Sequence, residues 1–149
     1  MKELTLKYDE FGIDSDIENY LLTLKGIKNA KFDEDKNEVF IEYDPNLITI
    51  KLILMEIDLF INTNSSSLFG FDKHSNNKLL DYEIIINDLC CEFCLKGNIE
   101  DLILIDGIES AKTDYNYQSN KRNVKISIKY DSNLINIEKI KELEKEFNE

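Results

Sequence analysis

The sequence lacks several features that would place it in familiar classes of protein. No apolar run approaches the roughly 18 residues of a membrane-spanning helix, so no membrane insertion is expected. The first residues, MKELTLKYDE, include acids where a signal peptide needs an apolar core, so we expect a mature cytoplasmic protein. Basic residues are scarce: 18 Lys and Arg face 30 Asp and Glu, a net charge of -12. Nucleic-acid binding is not expected, because neutralising phosphates requires clustered Lys and Arg.

Cysteine is also scarce, and its placement is unusual. The only three cysteines are Cys90, Cys91 and Cys94, within five residues of one another. A disulfide framework joins distant segments, so this cluster is not one. In a cytoplasmic protein such clustering indicates metal binding or thiol redox chemistry.

The 149 residues contain an internal repeat. The stretch LKGIKNAKFD matches IDGIESAKTD, and VFIEYDPNLITI matches VKISIKYDSNLINI. Gly26 falls on Gly107, and Tyr43-Asp44 falls on Tyr130-Asp131. The chain therefore reads as two copies of one structural pattern.

Apolar periodicity predicts the order β-α-β-β-α in each copy. The predicted strands are 3–8, 27–33 and 38–43, then 82–87, 108–115 and 123–130; the predicted helices are 14–25 and 47–58, then 94–105 and 136–147. A fourth strand in each copy would give α+β, ferredoxin-like βαββαβ domains, with two helices on one face of an antiparallel sheet. The chain stops directly after the last helix, so the second copy's fourth strand is expected to be short or missing.

The repeat predicts two domains, 1–62 and 81–149, joined by a linker at 63–80 that is rich in Ser and Asn. Within the linker, Leu68-Phe69-Gly70-Phe71 is too apolar for a plain tether. It could be the first domain's last strand, a patch docking one domain on the other, or a strand that completes the second sheet. The helix at 48–60 has apolar residues on more than one side, which favours an interdomain contact.

The cysteine motif lies between a predicted strand and a predicted helix. A loop thiol and a first-turn thiol can converge on one ion there, and the helix N-terminus favours the thiolate form. Two thiolates with few other ligands suit a soft monovalent ion such as Cu(I), whereas Zn(II) usually takes four ligands. The nearby carboxylates and His74 in the linker are the other donors considered.

With its flanking residues, the motif resembles the heavy-metal-associated family, which carries Gly-Met-x-Cys-x-x-Cys at this place. Leu89 stands for the Met, and Cys91 and Cys94 for the two ligands. Four downstream apolar or glycine positions also match, namely Leu102, Ile105, Gly107 and Ile108, as do Tyr130-Asp131 and the aromatic Phe147. The resemblance covers about residues 81–149. The first copy fits the same frame without thiols, with Glu10 and Ile13 at the ligand positions, so we expect it to be metal-free.

The resemblance implies a metallochaperone-like or regulatory protein that binds Cu(I) on Cys91 and Cys94, with Leu89 and Phe147 near the ligands. Its partner would be a protein with its own thiolate site, such as a metal-transporting P-type ATPase. Two positions depart from the family: Asp88 replaces the Gly, and Cys90 precedes the first ligand. Cys90 is a possible third ligand, and Zn(II), Cd(II) or Hg(II) remain alternatives to Cu(I).

Other functions stay open at this point. Thioredoxin-type redox proteins also use Cys-x-x-Cys, although this motif lacks their Trp and no Pro follows it. A third reading is a protein-interaction module in which the fold matters and the thiols do not. Metal transfer makes and breaks no bond within a substrate, so we do not expect an enzyme.

Overall fold

The computed structural model describes residues 1–8, 13–61, 68–89, 91–115 and 122–149. These residues form seven strands and four helices: β1 (Lys2–Tyr8), α1 (Asp16–Leu22), β2 (Ile27–Asp33), β3 (Glu38–Tyr43), α2 (Ile50–Ile61), β4 (Leu68–Asp72), β5 (Leu80–Ile86), α3 (Glu92–Ile103), β6 (Ile108–Thr113), β7 (Val124–Tyr130) and α4 (Ile137–Phe147). We call β1 to β4 with their helices the first unit, and β5 to α4 the second unit. The α+β prediction is confirmed. Within the described ranges, no helix combines the length and apolar character needed to cross a bilayer.

All strands belong to one antiparallel sheet with the order β2-β3-β1-β4-β6-β7-β5. The first unit has the ferredoxin-like order, in which the first strand lies between the third and the fourth. Two separate sheets were expected, but β4 pairs with β6 as well as with β1 and joins both units. The segment 63–80, predicted as a linker, thus contains a strand that ends the first unit and contacts the second. The domain boundaries themselves stay a prediction.

Alternation along the strands puts the core on one face of this sheet. In β7, Val124, Ile126, Ile128 and Tyr130 are buried, and the residues between them are exposed. Inward residues of the helices, such as Leu21 of α1 and Ile140 of α4, belong to the same apolar cluster. One face is therefore covered by helices, as the sequence predicted.

Equivalent positions in the two repeats make equivalent contacts. Gly26 and Gly107 have φ angles of +100° and +98°, which favour glycine. Their carbonyls accept hydrogen bonds from the amides of Asp44 and Asp131, each at 2.8 Å. A Cβ on Gly107 would lie 2.7 Å from Ile135, so glycine is needed there for space as well. Gly26 and Gly107 therefore form the same turn in the two repeats.

The second unit has no fourth strand beside β5 among the described residues; side chains from α4 take that place. The Ile85 amide donates to Glu144 Oε2 at 2.7 Å. Asn148 accepts from the Asn87 amide at 2.7 Å and donates to the Ile85 carbonyl at 2.9 Å. The segment Leu68 to Phe71 does add a strand to the second unit, as one of the expectations had it. It lies beside β6, at the opposite edge from β5. A sheet edge that carries side-chain caps exposes fewer unpaired backbone groups.

Candidate metal centre

Cys91 and Cys94 lie together at the start of α3. Cys91 is the N-cap residue, with an extended backbone (φ -165°, ψ 166°), and Cys94 lies in the first helical turn. The two Sγ atoms are 3.6 Å apart, and the Cys91 thiol points to Cys94 as a hydrogen-bond donor. Both residues are exposed to solvent. The predicted pair therefore converges, at a place that an ion or a partner protein can reach.

The helix start gives this pair its electrostatic setting. Cys91 makes no side-chain hydrogen bond to the first amides of α3. The positive end of the helix dipole favours a thiolate over a neutral thiol at such a position. The acidic side chain in the first turn, Glu92, acts in the opposite direction on a thiolate because its charge has the same sign.

The loop before the thiols is fixed to the start of β7. The Leu89 amide donates to the Arg122 carbonyl at 2.7 Å, and the Asp88 amide donates to Asn123 Oδ1 at 3.2 Å. Asp88 has a φ of +57°, a conformation that Gly adopts freely and that Asp tolerates better than most residues. An aspartate at this position is therefore compatible with the turn that precedes the thiols.

Of the other predicted site residues, Leu89 is 8% exposed and belongs to the core cluster, which agrees with a packing role under the loop. Phe147 is partly buried against the core at the end of α4. Cys90, the possible third ligand, lies outside the described residues, and so does Glu10 of the first copy. Ile13 is partly buried against the core.

A buried lysine beside the thiol motif was missed by the sequence reasoning. Lys96 is only 4% exposed, and its ammonium lies 4.9 Å from the ring centre of Phe69 on β4 and 5.3 Å from that of Phe93. These are cation-π distances. The sequence did contain an indication that Lys96 is buried, because Lys96, Ile99 and Ile103 have the spacing of one helix face. In the structure that face is buried. Lys96 thus connects the helix that carries the thiols to the strand that joins the units.

Among the residues that the structure describes, no further donors gather around the thiol pair. In the part of the chain that the structure describes, no group of three or more His, Cys, Asp or Glu residues could hold a metal ion. His74 lies elsewhere: its Nε2 is 2.6 Å from Thr5 Oγ1, on the first unit. A ligand set within the described residues therefore consists of two sulfurs.

The sulfur separation indicates which coordination geometries fit. With metal–sulfur bonds of about 2.3 Å, two sulfurs of a tetrahedral site lie about 3.8 Å apart, and two sulfurs of a linear site lie about 4.6 Å apart. The observed 3.6 Å is close to the first value. A three- or four-coordinate ion fits the pair nearly as it stands, whereas linear coordination requires the sulfurs to separate by about 1 Å.

A second polar cluster lies where the units meet and contains Tyr8 of β1, Asp58 of α2 and Glu100 of α3. The Tyr8 hydroxyl is buried and has no hydrogen-bond partner among the described residues. Burial, reinforced by the charge of Glu100, raises the pKa of Asp58 to about 6. Burial and the charges of both carboxylates also raise the pKa of Tyr8. This junction therefore disfavours the ionised form of Asp58.

The chain has a distant structural similarity to a known protein. No family model matches the chain, and no curated protein matches it. Among solved structures it is similar to the N-terminal soluble domains of Bacillus subtilis CopA, at 15% sequence identity and a TM-score of 0.37. That similarity covers 97% of this chain and 88% of the other. A likeness this distant assigns neither a family nor a function.

Proposed function

We propose that this protein binds a soft metal ion through Cys91 and Cys94 and passes it to a thiolate site on another protein. The observation that carries the proposal is the exposed pair of sulfurs 3.6 Å apart at the start of α3. Two structural thiols would not need to be accessible to solvent. The ion is the cargo and no covalent bond of a substrate changes, so the proposal describes a non-enzyme.

Cu(I) is the favoured cargo, because soft thiolate ligands and a low coordination number suit it. The short sulfur separation favours a third donor over a strictly linear site. Cys90, the preceding residue, is the nearest sulfur in the sequence and is proposed as that donor. Zn(II), Cd(II) and Hg(II) are the alternatives that a three-sulfur set would also hold.

Transfer would proceed by ligand exchange. A partner thiol loses its proton and forms a metal–sulfur bond while the ion is still held by Cys91 and Cys94. One of the original bonds then breaks, and the released thiolate takes up a proton. The solvent exposure of both thiols supports this order of events, because an incoming ligand has an open approach. No free ion is released at any step.

The partner is proposed to be a protein with a thiolate pair of its own, such as a metal-transporting P-type ATPase, and the encounter is proposed to take place in the cytoplasm. Phe93 is 58% exposed and lies between the two thiols in the sequence, so it offers an apolar contact beside the ion. The net charge of -12 favours a partner with a basic surface around its site.

Titration with Cu(I) in the presence of a competing chelator, under reducing and oxygen-free conditions, tests the proposal. The wild type is expected to take up one ion per chain, and a Cys91→Ser, Cys94→Ser double variant is expected to take up none. A Cys90→Ser variant provides the matched comparison: tenfold or greater weakening indicates a third ligand, and unchanged affinity indicates two. Equal uptake by the wild type and the double variant would refute the proposal.

The same pair supports a second candidate, a thiol redox protein, because sulfurs 3.6 Å apart need to approach by only about 1.5 Å to form a disulfide. A disulfide reductase assay separates the two functions. Turnover that depends on Cys91 and is unaffected by a Cu(I) chelator would favour redox chemistry over metal transfer.

A further inference from the structure

Helix α2 is apolar on the side that faces away from the sheet. Its inner residues Ile53, Leu54 and Ile57 are buried in the core. Three further residues, Leu52, Met55 and Leu59, are 42%, 53% and 69% exposed. At about 100° per residue, these three fall within a strip roughly 60° wide, opposite the buried side. We call Leu52, Met55 and Leu59 the outer stripe of α2.

A helix that packs on a sheet usually has a polar outer side, so an apolar outer stripe is unusual. Helix α4 of this chain follows the usual pattern, since its sequence IEKIKELEKEF places charged residues between the buried Ile140 and Leu143. The sequence favoured an interdomain contact for α2, and its Asp58 lies near Glu100 of the second unit. That contact does not include the outer stripe, because no described part of the chain covers it.

We propose that the outer stripe is the contact surface of a homodimer, in which α2 of one copy lies antiparallel to α2 of a second copy. The stripe is nearly symmetric about Met55, with one leucine three residues before it and one four residues after it. A two-fold axis through Met55 therefore brings Leu52 of each copy onto Leu59 of the other. Such self-complementarity is what an isologous interface requires.

The charges beside the stripe fit the same arrangement. Lys51 and Asp58 are seven residues apart, so they lie two turns apart on one flank of the stripe. The two-fold axis places each Lys51 near Asp58 of the second copy. The carboxyl of Asp58 is half-buried near Glu100 of its own chain, so the Lys51 ammonium of the other copy would approach it from its water-accessible side and give two ion pairs. Within its own chain, Lys51 forms no ion pair with a described residue. Glu56, on the other flank, accepts a 2.5 Å hydrogen bond from the Tyr20 hydroxyl and so turns toward its own α1.

The area of the α2–α2 contact determines how tightly the two copies are expected to bind. Helix α2 has 12 residues, a length of about 18 Å. One helix pair of this length buries less than the roughly 1,200 Å² of a stable interface. The dimer is therefore expected to be reversible, with a dissociation constant of roughly 10–100 μM.

Sedimentation equilibrium of the reduced protein with a metal chelator, from 2 to 500 μM in 150 mM salt, tests the proposal. The wild type is expected to show a monomer–dimer equilibrium, and a Cys91→Ser, Cys94→Ser variant to show the same one, which excludes an ion shared between copies. Met55→Glu is expected to weaken the dimer at least tenfold. Leu134→Glu, at a leucine that is 60% exposed outside the stripe, is the control and is expected to change nothing.

Disulfide cross-linking tests whether the two α2 helices of the dimer are antiparallel. In a background without the natural cysteines, Leu52→Cys and Leu59→Cys proteins mixed and oxidised are expected to form mainly the mixed disulfide dimer. Monomer at 500 μM, open-ended association, or a dimer unaffected by Met55→Glu would each overturn the proposal. Circular dichroism of every variant confirms that it is folded, which is expected because all substituted residues are exposed.

Discussion

Ionisation of Asp58 opposes folding, and an Asp58→Asn variant should reveal by how much. The pKa of this carboxyl rises from 3.8 to about 6 because it is partly buried and lies near the charge of Glu100. At about 1.4 kcal/mol per pKa unit, the rise corresponds to about 3 kcal/mol before solvent screening. Asp58 remains accessible to water in part, so we expect screening to leave about 1–2 kcal/mol.

The sign of the effect depends on pH. Well below pH 4, Asp58 is protonated in both the folded and the unfolded chain, and its ionisation costs nothing. Between pH 4 and 6 the unfolded chain loses this proton while the folded chain keeps it, so stability falls as the pH rises. Above pH 6 the full cost is present. Asp58→Asn should therefore raise the free energy of unfolding by about 1–2 kcal/mol at pH 7.5 and by less than about 0.5 kcal/mol at pH 4.0.

Urea unfolding followed by circular dichroism, with 2 μM protein so that the chain is monomeric, measures both values. Asp35→Asn, in the exposed turn between β2 and β3, is the matched control. Glu100→Gln should stabilise the protein at pH 7.5 in the same direction, and the two substitutions should not be additive because the groups interact. Equal effects of Asp58→Asn at both pH values, or destabilisation at pH 7.5, would refute the account of this junction.

Three further substitutions test the fold around the site. Asn148→Ala removes the cap on the β5 edge and should lower the free energy of unfolding by about 1–2 kcal/mol in urea titrations, whereas Asn133→Ala, in an exposed turn, should change it by less than about 0.5 kcal/mol. Gly107→Ala should lower the unfolding midpoint in thermal scans by several degrees, at a cost above about 2 kcal/mol, because its Cβ would meet Ile135 at 2.7 Å in a left-handed backbone. Leu89→Ala should cost about 2–3 kcal/mol by leaving a cavity and should also weaken Cu(I) uptake in the chelator titration; unchanged uptake would contradict its role under the loop.

The repeat made most of the elements predictable. Strands β2 and β3 have the predicted bounds, because Gly26 precedes the start of β2 and buried residues alternate along β3. Helix α2 begins three residues later than predicted, at Ile50, since residues after Pro45 first form a turn. Local patterns of this kind decide individual elements, and they were sufficient for an α+β prediction.

The joining of the two units could not be predicted in the same way. Pairing of β4 with β6 depends on contacts between residues about 40 apart in the chain, and alternation says nothing about which edge a strand joins. The caps that Glu144 and Asn148 place on β5 were also unforeseen, because they are polar residues on a surface helix with no distinctive spacing. At the thiol motif, the sequence predicted that Cys91 and Cys94 converge, but the burial of Lys96 beside them depends on Phe69 from β4.

X-ray absorption at the metal edge of the anaerobically loaded protein tests the central claim most directly, since it identifies the ion and counts its sulfur ligands together. The account predicts a coordination shell of two or three sulfurs at no more than about 2.3 Å, which is lost in the Cys91→Ser, Cys94→Ser variant. A shell made only of nitrogen and oxygen, or the same sulfur shell in that variant, would contradict it.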